Sequence, residues 1–244
     1  MTDWSSLPAR PVLPERSTIH LFRVSLAASR YHADADWSAL TTAERARAER
    51  YVVEPPRYRF LLCRRALRHC LAWLTDVSPA DLAFAAARFG KPHLQWPEKT
   101  GWGFNVSHSG DWGIIAVAWQ RQVGVDLEVI DPRLDTAGLA ERFFAIAEQQ
   151  QLSALPLEQQ TAGFYRIWNT KEAYLKALGV GMSLPLGSFT VSADPQGTPG
   201  VIGGDVREGP WWGHGFEVAT TAAGVVLWDQ GPTLVQTWDA PAEW

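Results

Sequence analysis

The stretch Val123-Gly124-Val125-Asp126-Leu127-Glu128 reads as a β-strand. Val123, Val125 and Leu127 alternate with small or charged residues. Period-two geometry then places Asp126 and Glu128 on one face and Val125 and Leu127 on the other. Two carboxylates side by side repel, and they stay ionised together best beside a cation or a basic partner. The plain alternative is the solvated face of an edge strand. Gly124 lacks a side chain, so a ligand is expected to approach the backbone there.

Further along, Trp168-Asn169-Thr170-Lys171-Glu172-Ala173-Tyr174-Leu175-Lys176 reads as a helix, with Glu172 and Lys176 one turn apart on one side. They flank an apolar stripe of Phe164, Ile167, Trp168, Leu175 and Leu178. On an open surface such a pair is worth only a few tenths of a kcal/mol. At the rim of a cleft, the two join Asp126 and Glu128 as three carboxylates and a lysine. That set suits a hard divalent cation gripping a phosphate, because Mg²⁺ takes one or two carboxylates and leaves its other positions to water and phosphate oxygens.

The chain of 244 residues is long enough for one large domain or two smaller ones, and its 46% apolar and 20% charged content are those of a globular protein. No run approaches the roughly 20 apolar residues of a membrane helix, and no membrane role is expected. Met1 to Arg16, with Pro8, Pro11 and Pro14, has no apolar secretory core and is expected to be a loose leader. The cytoplasm is the expected location. Cys63 and Cys70 lie two helical turns apart, ~10 Å, too far for a disulfide, and are expected to be buried thiols.

The net charge of −4 hides an asymmetry, since Arg45, Arg47, Arg50, Arg57, Arg59, Arg64, Arg65 and Arg68 face only Glu49 and Glu54 in that segment. A local basic patch on an acidic chain suits an anionic ligand at one place better than a coat of nucleic acid. The other reading is a solvated helix face with arginine stems packed on the core.

Thr18 to Ser25 alternates as a first strand. Trp37 to Tyr51 and Arg57 to Leu74 read as helices separated by Pro55-Pro56, and Phe89 to Pro92 as a turn. Strands are expected at 103–106, 113–119 and 123–128, with Ser107-His108-Ser109-Gly110 as the first break between them. That polar turn offers N–H groups and an imidazole to an oxyanion, or is simply a hairpin. Helices follow at 139–155 and 157–178, the last stopped by Gly179. Short β-like runs at 188–191, 215–219 and 224–228 fill the tail. No sequence repeat is visible, yet each half runs helices and then strands, which predicts an α+β architecture in two similar halves, 17–121 and 122–244.

In order, the segments FGKP (89–92), FNVSHSG (104–110), GVDLE (124–128), ERFF (141–144), WNTKEAYLKALG (168–179) and GMSLPLGSF (181–189) closely resemble the Sfp-type 4′-phosphopantetheinyl transferases. The resemblance spans roughly 44–191 and combines that family's (V/I)G(V/I)D core with its W-x-x-KE-[AS]-x-x-K signature. It implies a pseudodimer of two α+β halves with the active site between them, acting as a monomer. It also implies transfer of the phosphopantetheine arm of coenzyme A to a serine of an acyl or peptidyl carrier protein, with release of adenosine 3′,5′-bisphosphate. By the same resemblance, Asp126, Glu128 and Glu172 hold Mg²⁺ (or Mn²⁺) against the pyrophosphate, and His108 and Lys176 contact the phosphates. Ser107 and Lys91 line the coenzyme site. Arg59 matches the arginine on the 3′-phosphate, with Arg45 and Arg47 as approximate stand-ins for two further basic residues.

For the chemistry, Lys176 and His108 are expected to stabilise charge. Glu172, directly or through a metal-bound water, is expected to take the serine proton, with a water activated by Asp126 as the alternative. Arg142, Phe143 and Phe144 are candidates for carrier docking. Two rival readings remain: a Mg²⁺-dependent phosphohydrolase or nucleotide-binding enzyme built on the same carboxylates, and a non-catalytic module holding nucleic acid on the arginine patch. Steep salt dependence would mark the second.

Overall fold

The computed structural model describes residues 1–7, 17–27, 36–98, 100–206 and 209–244, with Met182 described by its backbone alone. A two-residue strand, β1 (Ser5–Ser6), precedes β2 (Ile19–Ser25), α1 (Thr42–Glu49), α2 (Glu54–Thr75), the hairpin β3 (Ala83–Ala86) and β4 (Pro92–Trp96), then β5 (Trp102–Ser109) and β6 (Trp112–Trp119). The order then repeats. It runs β7 (Val123–Val129), α3 (Thr136–Phe143), α4 (Ile146–Ala154), α5 (Leu157–Leu178), the hairpin β8 (Phe189–Val191) and β9 (Val201–Gly204), then β10 (Trp212–Ala219) and β11 (Ala222–Trp228). The final strand is β12 (Val235–Asp239).

Strand pairing repeats as well. In the first half β6 lies between β2 and β5, and in the second β11 lies between β7 and β10. All four pairings are antiparallel. The long helices α2 and α5 each have 22 residues. This is the α+β pseudodimer expected from the sequence, although no residue-level repeat betrays it.

Alternation along the strands explains the layers. Phe22 and Val24 of β2, with Ile115 and Val117 of β6, pack on Leu62, Leu67 and Leu71 of α2. The opposite face of the same strands, Ile19, Leu21, Ile114 and Ala116, meets Val125, Leu127, Phe216 and Val226 of the second sheet. Phe164, Ile167, Tyr174 and Leu175 of α5 cover that sheet's outer face with Phe189, Val225 and Leu227. Two sheets therefore pack face to face with a helix outside each.

Several boundaries differ from the sequence reading. Pro55 and Pro56 do not separate two helices; they lie in the first turn of α2, where the N–H groups they lack have no intrahelical partner to lose. Ser107 and Ser109 do not form a turn. β5 runs on through them, paired as Ser107↔Ile114 and Ser109↔Trp112, and the chain turns at Gly110 (φ +56°). The helix expected over 139–155 is two helices, because Ala145 is extended and its N–H is capped by Glu148 at 2.8 Å.

The expected loose leader is tied down at its start. Ser5 and Ser6 pair with Trp238 and Asp239, and Trp4 Nε1 donates to Glu217 O at 2.9 Å. Residues 8–16, with their prolines, lie outside the described residues. The tail also departs from a simple division at 122, because β12 pairs in parallel with β2 in the first sheet. Cys63 and Cys70 are buried free thiols, and burial pushes the Cys63 pKa up to about 12.

Candidate active site

The site begins at a missing side chain. A Cβ on Gly124 would stand 2.0 Å from Ala173 O and 2.4 Å from Ala177 N, so α5 lies directly on β7 there. The helix, rather than the ligand expected from the sequence, is what approaches this backbone. The close contact brings the next outward residue of β7, Asp126, under Lys176, with Nζ to Oδ1 at 2.6 Å. Ser107 completes the knot. Its hydroxyl donates to Asp126 Oδ1 at 3.1 Å and accepts from Lys176 Nζ at 2.9 Å. Glu128, one step along β7, accepts from Ser109 Oγ at 2.8 Å.

Electrostatics tie Glu172 to the same place. Burial raises its pKa, the Asp126 charge raises it further, Lys176 opposes both, and Glu128 adds a smaller rise. Burial likewise raises the Asp126 pKa against the lowering pull of Lys176 and Ser107. For Glu128 burial again leads, offset by the Ser109 hydrogen bond and reinforced by Asp126. Three carboxylates crowd one ammonium, so negative charge here is under-compensated.

His108 is exposed near the end of β5. Partial burial of its imidazole, then the charges of Lys176 and Arg59, hold its pKa below the ordinary value. Arg59 itself pairs with Asp111 at 3.1 Å. A cavity of about 270 Å³ opens beside these groups, lined by Phe89, Lys91, Asn105, Glu172, Lys176 and Gly181 among others. A larger one of about 770 Å³ lies at the other end of α5, by Arg166 and β10, and contains none of the expected residues.

The remaining expected residues are placed differently. Lys91 lines the smaller cavity, but its Nζ donates to Val123 O (3.1 Å) and Ala177 O (2.6 Å), and burial lowers its pKa to about 8. Arg45 and Arg47 are exposed on α1, with the Arg47 guanidinium over the Phe60 ring at 5.1 Å. The basic run is partly consumed inside the fold. Buried Glu44 binds Arg64 Nε at 2.5 Å and Arg68 Nε at 2.8 Å. Glu44 precedes the run by one residue, so its neutralising role was invisible to a count of charge within it. Phe144 is core at 4% exposure, which leaves Arg142 and half-buried Phe143 of the docking candidates near the surface.

Two arrangements escaped the sequence reading. The side chains of Asn105 and Ser109 accept backbone N–H groups of β7. Lys171 sits at 0% exposure paired with Glu148 at 2.8 Å, and also donates to Leu186 O and Phe189 O. Its signal was a lysine at an apolar-stripe position between Ile167 and Tyr174.

Among the described residues, no three His, Cys, Asp or Glu side chains stand ready-assembled around one metal position. The donor chemistry nevertheless fits a hard cation. Asp126 Oδ2 is buried without a hydrogen-bond partner among the described residues, and two more carboxylates share its excess charge. Lys176 Nζ occupies a cation's place on Oδ1.

The two halves of this α+β pseudodimer meet where Ser107 of the first binds Asp126 and Lys176 of the second. Residues 122–225 match the family model of the 4′-phosphopantetheinyl transferase superfamily, and 27–120 match that of the 4′-phosphopantetheinyl transferase N-terminal region. The 4′-phosphopantetheinyl transferase HetI of Nostoc sp. is 38% identical over 186 residues, covering 75% of this chain and 78% of its own length. A Bacillus subtilis 4′-phosphopantetheinyl transferase is 34% identical over 160 residues, covering 66% and 69%. The Synechocystis protein slr0495 is 44% identical over 144 residues, covering 59% of this chain and 58%, less than two thirds, of its own length. The chain belongs to the 4′-phosphopantetheinyl transferases, a family of transferase enzymes. Nothing in these relationships supports a phosphohydrolase.

Proposed function

We propose that this protein moves the 4′-phosphopantetheine arm of coenzyme A onto a serine hydroxyl of an acyl or peptidyl carrier protein and releases adenosine 3′,5′-bisphosphate. The observation that carries the reading is the meeting of Asp126, Glu128, Glu172 and Lys176 where α5 crosses β7, within the segment that matches the family. Asp126, Glu128 and Glu172 are the residues that would hold a divalent cation, Mg²⁺ or Mn²⁺. Such a cation supplies charge stabilisation at the pyrophosphate of coenzyme A.

The serine oxygen forms a bond to the phosphorus bearing the pantetheine arm while that phosphorus loses its bond to the bridging oxygen. The bridging oxygen leaves with adenosine 3′,5′-bisphosphate. Such displacements depend on positioning and on neutralising oxygens, not on covalent help from the protein. Lys176, one turn from Glu172, directs its ammonium at those oxygens. His108, whose pKa is held below the ordinary value first by partial burial and then by the Lys176 charge, donates an N–H hydrogen bond to the departing phosphate. Glu172 takes the serine proton.

Arg59 holds the 3′-phosphate, with Arg45 and Arg47 as approximate stand-ins for two further basic ligands and Ser107 and Lys91 lining the coenzyme site. The halves divide near 121/122, with the tail strand returned to the first. No helix among the described residues is long and apolar enough to cross a membrane. The reading places the enzyme in the cytoplasm, as a monomer, with no nucleic-acid partner.

The test is incubation with coenzyme A, Mg²⁺ and apo carrier proteins of several types, followed by intact-mass measurement. A gain of one phosphopantetheine on the carrier serine is expected, and no gain on any carrier would overturn the proposal. Glu172→Gln at saturating Mg²⁺ is expected to lower kcat on the order of 100-fold or more. Near-normal turnover would pass the role of base to a water held by Asp126.

A further inference from the structure

The edges of the two sheets meet at β5 and β7, which run parallel and are joined through side chains. Asn105 Oδ1 accepts the N–H of Val125 at 2.9 Å, Ser107 Oγ that of Leu127 at 3.3 Å, and Ser109 Oγ that of Val129 at 3.1 Å. Each pair is separated by the same 20 residues, so alternate side chains of β5 replace the backbone carbonyls that a neighbouring strand would offer. Left open, these N–H groups would form an unpaired sheet edge.

The two serines do more than close an edge. A hydroxyl has one proton and two lone pairs. Ser107 spends its lone pairs on Leu127 N–H and Lys176 Nζ, and its proton on Asp126. Ser109 accepts Val129 N–H and gives its proton to Glu128 Oε2 at 2.8 Å. Each hydroxyl thus bonds the N–H of one β7 residue and the carboxylate of the residue before it. The backbone anchor fixes the hydroxyl, and the hydroxyl fixes the carboxylate. Asp126 has Lys176 as a second tether, whereas Glu128 is oriented through Ser109.

We infer that the Asn105-Ser107-Ser109 face of β5 is a positioning ladder, and that Ser109 is a positioning residue that aims Glu128 for cation binding. This rests on the reading above that Glu128 holds a cation. Outer hydrogen-bond partners of metal ligands carry effects of about 10- to 100-fold on affinity. Ser109 belongs to the first half of the chain and Glu128 to the second, so the ladder also makes cation affinity depend on how the halves join.

The test is Mn²⁺ binding to the whole chain without coenzyme A, followed by the electron paramagnetic resonance signal of free Mn²⁺, with thermal unfolding of every variant in parallel. Ser109→Ala is expected to weaken Mn²⁺ about tenfold. Ser109→Thr keeps the hydroxyl and is expected to restore binding, while Ser109→Val, of the same shape without it, is expected to match the alanine variant. In a Glu128→Ala background, Ser109→Ala is expected to change Mn²⁺ affinity no further, because its effect runs through Glu128. Unchanged affinity in Ser109→Ala and Ser109→Val, or an equal loss in the Glu128→Ala background, overturns the inference and leaves a purely structural hydroxyl. Absence of saturable Mn²⁺ binding by the unsubstituted chain overturns the cation reading itself, and the ladder's role with it.

Discussion

Lys176 and Asp126 form the closest charge pair of the site, at 2.6 Å, yet the lysine faces three carboxylates whose pKa values burial raises. A carboxyl whose folded pKa exceeds its unfolded value binds its proton more tightly when folded. Keeping it ionised therefore destabilises the fold above the folded pKa. That burden is relieved as pH falls through the folded pKa toward the ordinary 3.8 of Asp and 4.5 of Glu. A cation relieves the same burden, and protons compete with it for the same oxygens. Mg²⁺ is accordingly expected to raise Tm clearly at about pH 7.5 and progressively less toward about pH 5. An equal rise at both ends of that range would contradict the three-carboxylate site.

The β7–α5 crossing sets the site's geometry at the scale of elements. Gly124 is a contact residue whose neighbours are backbone atoms, Ala173 O and Ala177 N, which cannot swing aside. Gly124→Ala is expected to cost about 2–3 kcal/mol in denaturant unfolding, at the upper end of overpacking effects. It should also lower activity by lifting Glu172 and Lys176 away from Asp126. Unchanged stability would mean that α5 slides freely on β7. The helix has little room to slide, because Lys171 anchors it through the buried Glu148 pair and the carbonyls of Leu186 and Phe189. Removing one partner of such a pair leaves a charge stranded in the core.

For the whole molecule, the two halves create two comparable junctions, which the chain treats differently. At one, β5 meets β7 through the polar ladder, with the carboxylates alongside. At the other, β12 lies along β2 in parallel register from Val235↔Ile19 to Asp239↔Arg23, and β1 adds beyond it. Arg23 ties the assembly, binding Asp239 at 2.7 Å and donating to Val218 O of β10 at 2.8 Å. The tail therefore covers the edge of β2 that would otherwise invite another strand. Deleting residues 235–244 is expected to lower Tm and promote concentration-dependent association, read by thermal unfolding and size-exclusion chromatography. A monomer of unchanged Tm would show that β12 is dispensable.

Local patterns carried much of this fold. Alternation in 123–128 marks β7 and the face that bears Asp126 and Glu128, and the apolar stripe with Gly179 marks α5, whose observed limits are Leu157–Leu178. Asp126, Glu128, Glu172 and Lys176 were equally legible as charges bordering an apolar face, because that is a one-dimensional signal. Ser107 to Ser109 misled, since small polar residues signal a turn unless something across the sheet accepts them, and that partner is β7. The arginine run misled for a related reason: Glu44, outside it in sequence, folds back to neutralise Arg64 and Arg68.

The sequence by itself determined the periodicities, the chemical types at the cleft and the family signature, all of which are properties of neighbours along the chain. Only the tertiary structure decided that Gly124 admits a helix, that Ser109 reaches Glu128 and that the last strand returns to the first sheet. Those contacts join residues distant in the chain, and they are selected by the packing of two sheets rather than by any local preference.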